Sequence, residues 1–183
     1  MSLHNEPDYK TLEKNLIEII QEQQIKIGYR NEIIRLYYPM ESINNLLNIN
    51  TDVAQLPEVL RTFCSFVTPR LGEVSFTNKD TRFCFVIPEK GVNYAHESIE
   101  DRKFLRDFIG RISEHDCTLE DILEIFYCYS SKVKCEKKEH NEFDYLIYFE
   151  DGQPDSFLYC IKFEDHHAIY HRFTKADYLN FEF

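Results

Sequence analysis

Three histidines stand within six residues of one another in "FEDHHAIYHRF", residues 163–173, beside Glu164 and Asp165. Imidazoles and carboxylates in one place can hold a zinc-class ion or move a proton. Spacing separates those readings from a plain polar hairpin end. His167 and His171 are four apart. On a helix they would share a face. On a strand they lie about 13 Å apart, at ~3.3 Å per residue, whereas zinc needs both nitrogens within about 2.0–2.1 Å. Thr174-x-x-Asp177 reads as a helix start, which leaves the histidines in a strand. A two-residue turn at Asp165-His166 then sets Glu164 opposite His167 and Cys160 opposite His171. It also sets Ile161 opposite Tyr170 and Tyr159 opposite Arg172. Cys160 and His171 are the residue types of a thiol nucleophile and its base, but no orienting group or oxyanion site accompanies them. The expectation is cross-strand pairs and no metal, with His167 and His171 the ligands should an ion bind.

Two other groups of residues could do chemistry. His96-Glu97-x-x-Glu100 differs from the zinc motif H-E-x-x-H only in its last residue. Ser98-x-x-Asp101 reads as a helix start, which would leave His96 and Glu97 in a strand-to-helix loop, lining a pocket there. Upstream, Lys26, Arg30 and Arg35 alternate with Tyr29, Tyr37 and Tyr38, and Glu32 lies among them. Arg30 and Arg35 could clamp an anion beside the Tyr29 and Tyr37 rings. No G-x-S-x-G, G-x-G-x-x-G, P-loop or EF-hand pattern occurs. No cofactor is implied.

The elements that must carry these residues follow from periodicity. Residues 8–27 read as a helix with Asp8 as its cap, an apolar stripe from Leu12 to Ile27, and Gly28 ending it. "IIRLYYP" (33–39) reads as a strand, and 41–47 as a short helix. A longer helix starts near Pro57 and stops by Gly72. "EVSF" and "RFCFVIP" flank "TNKDT" as a hairpin, the second strand being apolar on both faces. Leu105 to Ile112 and Leu119 to Phe126 are two further helical stripes, the latter opened by Thr118-x-x-Asp121. "KCEKKEHNE" reads as a polar turn with edge-strand flanks. Aromatic strands at 143–150 and 157–164 and the strand "HAIYHRF" follow, then a short helix, "KADYLNF". Segregated helices and antiparallel strands give an α+β fold. Its N-terminal and central helices pack on a mostly antiparallel sheet, with a C-terminal β-meander and a short terminal helix.

Composition narrows the function classes. The chain has 183 residues, which suits one domain, and 43% are hydrophobic, enough for a core. The net charge of −11 opposes binding to phosphate backbones and suits a basic protein partner. Six cysteines occur without any C-x-x-C and mostly within apolar runs, as buried free thiols of a reducing, cytoplasmic compartment would. The opening Met-Ser-Leu carries no structural signal. No secretory signal pattern opens the chain, and no apolar run reaches the ~18 residues of a membrane span. Nothing sets the oligomeric state.

Three segments, "IKIGYRNEIIRLYYPMESINNLL", "FCFVIPEKGVNYAHE" and "HRFTKADYLNF", resemble a family of uncharacterised bacterial proteins described only as a domain of unknown function. The likeness spans nearly the whole chain. It implies one domain and carries over no activity, substrate or catalytic residue. The sequence therefore leads to a protein that acts by binding another protein. A metal-dependent or His/Glu-based enzyme and an anion- or nucleotide-sensing module are the alternatives.

Overall fold

A computed structural model describes residues 6–139 and 142–180. The Met-Ser-Leu opening, the His140–Asn141 part of the expected polar turn and Phe181 lie outside the described residues. The protein is α+β, and its chain forms two compact units, residues 1–101 and 102–183.

The first unit runs α1 (Tyr9–Ile27), β1 (Ile34–Pro39), α2 (Met40–Leu47), α3 (Leu56–Leu71), β2 (Ser75–Lys79), β3 (Arg82–Ile87) and α4 (Glu89–Glu97). α1 forms where expected: the Asp8 carboxylate accepts from the Thr11 N–H at 3.0 Å and from the Thr11 hydroxyl at 2.7 Å. Gly28 ends it at a φ of 86°, which glycine adopts without steric cost. The strands form one antiparallel sheet in the order β1-β3-β2. Leu36, Phe83, Phe85 and Ile87 point into a core shared with Leu12, Leu16 and Ile20 of α1 and Leu60, Phe63 and Val67 of α3.

Several expectations change in detail. The β2–β3 turn is only Asp80–Thr81, so most of "TNKDT" belongs to the strands. Asp80 holds a φ of 52°, a conformation short polar side chains tolerate. β3 is not buried on both faces. Cys84 and Val86 are only half-buried, because their neighbours on that face are the exposed Arg35, Tyr37, Ser75 and Thr77. Ile27 does not complete the buried stripe of α1; at the helix end it is 68% exposed. The largest difference is α4. The expected loop at His96–Glu97 is the last turn of a helix that starts after Pro88, and Ser98 is its C-cap, with a 3-10 turn, Ile99–Arg102, starting directly after it. Gly91, Val92 and Ala95 form its buried face. That face settles because Gly91 lets the backbone come close: a Cβ there would lie 2.7 Å from Ile87 Cγ2 and 2.8 Å from the Leu71 carbonyl oxygen.

The second unit runs α5 (Lys103–Ile112), α6 (Leu119–Tyr129), β4 (Val133–Lys137), β5 (Tyr145–Phe149), β6 (Leu158–Glu164), β7 (His167–Phe173) and α7 (Lys175–Asn180). A 3-10 turn, Ile99–Arg102, lies in the chain between α4 and α5. The strands form an antiparallel meander, β4-β5-β6-β7. The expected capping box at α6 is present, Thr118 and Asp121 exchanging side-chain and backbone hydrogen bonds. On one sheet face the fully buried Tyr159 meets Phe104 and Phe108 of α5 and Phe126 of α6 edge-on, at centroid distances of 5.8, 4.8 and 5.3 Å. On the other, Leu146 and Cys160 pack with Phe143 and with Tyr178 of α7. Among the described residues no helix is long and apolar enough to cross a membrane.

Candidate interaction site

The expected chemistry at β6–β7 resolves into strand pairing. β7 includes His167 and His171, and the register pairs Glu164 with His167, Cys160 with His171, Ile161 with Tyr170 and Tyr159 with Arg172. His171 lies among rings, 6.0 Å from Phe143 and 6.3 Å from Phe173. Burial pushes the Cys160 thiol up to about 12, so it stays protonated and is a poor nucleophile beside His171. All six cysteines are free thiols, and one of them, Cys128, is exposed where a buried position was expected.

In the first unit, α1 and α4 are joined by amide side chains. Gln21 Nε2 donates to the Ala95 carbonyl at 2.9 Å and to the Ser98 hydroxyl at 3.0 Å. Gln24 Nε2 donates to the Val92 carbonyl at 3.1 Å, and its Oε1 lies 3.4 Å from His96 Nδ1. The chain turns at Gly28, and the Tyr29 ring then stacks on His96 at 3.9 Å and 16°. The Tyr29 hydroxyl donates to Asn93 Oδ1. Tyr29 and His96 are thus brought together, in a contact that ties the α1 end to α4. Glu97 is exposed beside them at the end of α4. Because Ser98 ends that helix, His96 and Glu100 do not share a helical face.

β1 divides the remaining residues by its two-residue period. Leu36 is buried, and Tyr38 turns inward, its hydroxyl donating to Asn15 Oδ1 at 2.7 Å. Arg35 and Tyr37 take the opposite face, Tyr37 being 70% exposed. β1 is an end strand of its sheet. A groove of about 360 Å³ is lined by Ile19 and Gln23 of α1 and by four consecutive β1 residues, Arg35, Leu36, Tyr37 and Tyr38. Consecutive residues of a strand alternate faces, so a groove lined by all four follows the strand rather than one face of it. Arg35 and Tyr37 therefore share this groove. Tyr29 and Arg30 are exposed outside its lining, so the four do not close into one anion pocket.

Exposed apolar and basic side chains gather in residues 27–37, the stretch that leads from the end of α1 into β1. Of the eight large apolar side chains exposed among the described residues, four are Ile27, Tyr29, Ile33 and Tyr37. Arg30 and Arg35 form no ion pair among the described residues, whereas Lys26 is held by Glu22 at 2.8 Å. Ile27 and Ile33 escaped the sequence reading because both look like core residues at the ends of periodic elements.

The family described as "Domain of unknown function, E. rectale Gene description (DUF3877)" matches residues 9–181. No curated protein and no solved structure matches the chain.

Proposed function

This chain belongs to the DUF3877 family, and from that premise we propose that it acts by binding an extended segment of another protein along the free edge of β1. The observation that carries this reading is the groove following four consecutive residues of an end strand, with α1 as its far wall. An end strand presents unpaired backbone groups, and an added strand satisfies them. Ile19, Leu36 and Tyr37 supply apolar contact. Arg35 selects a segment carrying carboxylates. The net charge of −11 acts at longer range and favours a partner of positive overall charge; the arginines act at the contact. Nucleic acid does not fit the global charge of −11, and two unpaired arginines are few for neutralising a phosphate backbone. The His96/Glu97 enzyme reading draws no support from a half-buried imidazole stacked under Tyr29.

The test is selection from a phage-displayed library of random nine-residue peptides on the intact protein, followed by anisotropy with the enriched peptides. Enriched sequences should alternate apolar residues with Asp or Glu. Arg35→Glu should weaken them about tenfold to a hundredfold, the worth of a charge-assisted hydrogen bond of ~1.5–3 kcal/mol. Selection of basic sequences, or equal binding to Arg35→Glu and Tyr37→Ala, would sink the proposal.

A further inference from the structure

The connection between α5 and α6 meets the tip of the β6–β7 hairpin. Both are bent by aspartates in the left-handed region, Asp116 at a φ of 60° and Asp165 at 51°. The Asp116 N–H donates to the His166 carbonyl at 3.0 Å, which fixes the two turns together through their backbones. Above that bond lie His115, Asp116 and His166. Asp116 accepts from His115 Nδ1 on one carboxylate oxygen and from His166 Nδ1 on the other, each at 2.7 Å. The two rings stack with centroids 5.0 Å apart, and the His167 ring stands edge-on 5.5 Å from His115. These hydrogen bonds hold the Asp116 carboxyl below its ordinary range, His166 contributing more than His115, so the group is a carboxylate at neutral pH.

Each of the three residues offers one ligand atom, and these atoms lie within 4.8 Å of one another. A four-coordinate ion with bonds of about 2.0–2.1 Å sets its ligands roughly 3.4 Å apart. Closing the difference requires the side chains to rotate and the imidazole–carboxylate hydrogen bonds to give way to the ion. The three side chains are between 63% and 67% exposed and free to rotate. Two imidazoles with one carboxylate suit zinc-class ions; magnesium and calcium require more oxygen ligands. Asp116 and His166 also line a cavity of about 450 Å³, with His167, Glu120 and Asp165 in its wall and Tyr145 and Phe163 as its apolar part. Glu120 and Asp165 add negative potential, which favours a cation there.

We propose that His115, Asp116 and His166 bind one divalent transition-metal ion of the zinc class, leaving a coordination position open to the adjoining cavity. Three protein ligands with a vacant fourth position beside a cavity are what a water or small ligand needs to reach the ion. This site is independent of the β1 groove, and its ligands come from segments 50 residues apart. An ion would therefore cross-link the helical connection to the hairpin tip.

The test uses the intact protein after dialysis against a chelator. Calorimetric titration with Zn²⁺ should give one ion per chain, and Mg²⁺ should give no heat of binding. Co²⁺ should develop the visible absorption of a four-coordinate site. His166→Ala and His115→Ala should each weaken Zn²⁺ by more than the about 10–100-fold that loss of a supporting hydrogen bond costs. His171→Ala, on β7 and outside the cluster, should bind like the wild type. Circular dichroism confirms that each variant is folded. Absence of Zn²⁺ binding by the wild type, or undiminished binding by folded His166→Ala, would overturn the proposal and leave the cluster a hydrogen-bonded clasp between two turns.

Discussion

Gly91→Ala sets two opposite effects against each other at the position that seats α4. In a helix, replacing glycine by alanine stabilises by about 0.5–1 kcal/mol, because glycine loses more backbone freedom on folding. At Gly91 the added Cβ would stand 2.7 Å from Ile87 Cγ2, 2.8 Å from the Leu71 carbonyl oxygen and 3.3 Å from Leu71 Cα. The first contact could be relieved by turning Ile87, a fully buried side chain at the end of β3. The second is to backbone, at the end of α3, and cannot be relieved without moving a helix. Overpacking of this kind costs about 1–3 kcal/mol. The net expectation is a change of about 0–2.5 kcal/mol toward lower stability, set against a gain at the control. Gly110 is the matched control. It lies inside α5, and a Cβ there would meet nothing within 4 Å. Gly110→Ala should therefore gain the about 0.5–1 kcal/mol of helix propensity undiminished. Urea unfolding followed by far-ultraviolet circular dichroism measures both, compared at unchanged m-values. If Gly91→Ala gained as much stability as Gly110→Ala, close approach would not be what seats α4.

Asp8→Ala removes the cap of α1 and should cost about 1 kcal/mol at pH 7. Hydrogen bonds from the Thr11 hydroxyl and N–H depress the Asp8 pKa. Its contribution is thus complete above the unfolded value near 4 and is lost as the pH falls through the folded one. The stability gap between Asp8→Ala and the wild type should accordingly narrow on acidification below pH 4; a gap that stayed constant to pH 2 would contradict this. Thiol labelling with mass-spectrometric mapping should modify the exposed Cys128 first. Cys160 and Cys64 should lag, because burial pushes their thiols up to about 12 and 11. Labelling of Cys160 ahead of Cys128 in the native protein would show that the sheet face beneath α7 is open.

Local rules carried much of the fold. The Asp8 cap, the Thr118–Asp121 capping box and the β6–β7 register each depend on residues a few positions apart, so sequence spacing alone specified them. A two-residue turn at Asp165-His166 fixes every pair down that hairpin, since strand pairing has a strict period of two. The same period separated Arg35 and Tyr37 from Leu36 and Tyr38 once β1 was recognised. Packing between distant segments decided the rest. "PEKGVNYAHE" lacks a strong apolar stripe and holds a glycine, so it reads as a loop. It is helical because Gly91 fits against Leu71 and Ile87, a contact no local pattern displays. Tyr29 and His96 stand 67 positions apart and stack because α1 and α4 are joined by Gln21 and Gln24. His115 and Asp116 drew no notice in the sequence, since they match no ligand spacing with any neighbour. His166, 50 positions after Asp116, joins them only when the hairpin tip meets the α5–α6 connection. Sequence thus determined most of the elements, the caps at Asp8 and Thr118 and the hairpin register, because those energies are local. Only tertiary structure decided which polar side chains converge, because convergence depends on how separately specified elements pack.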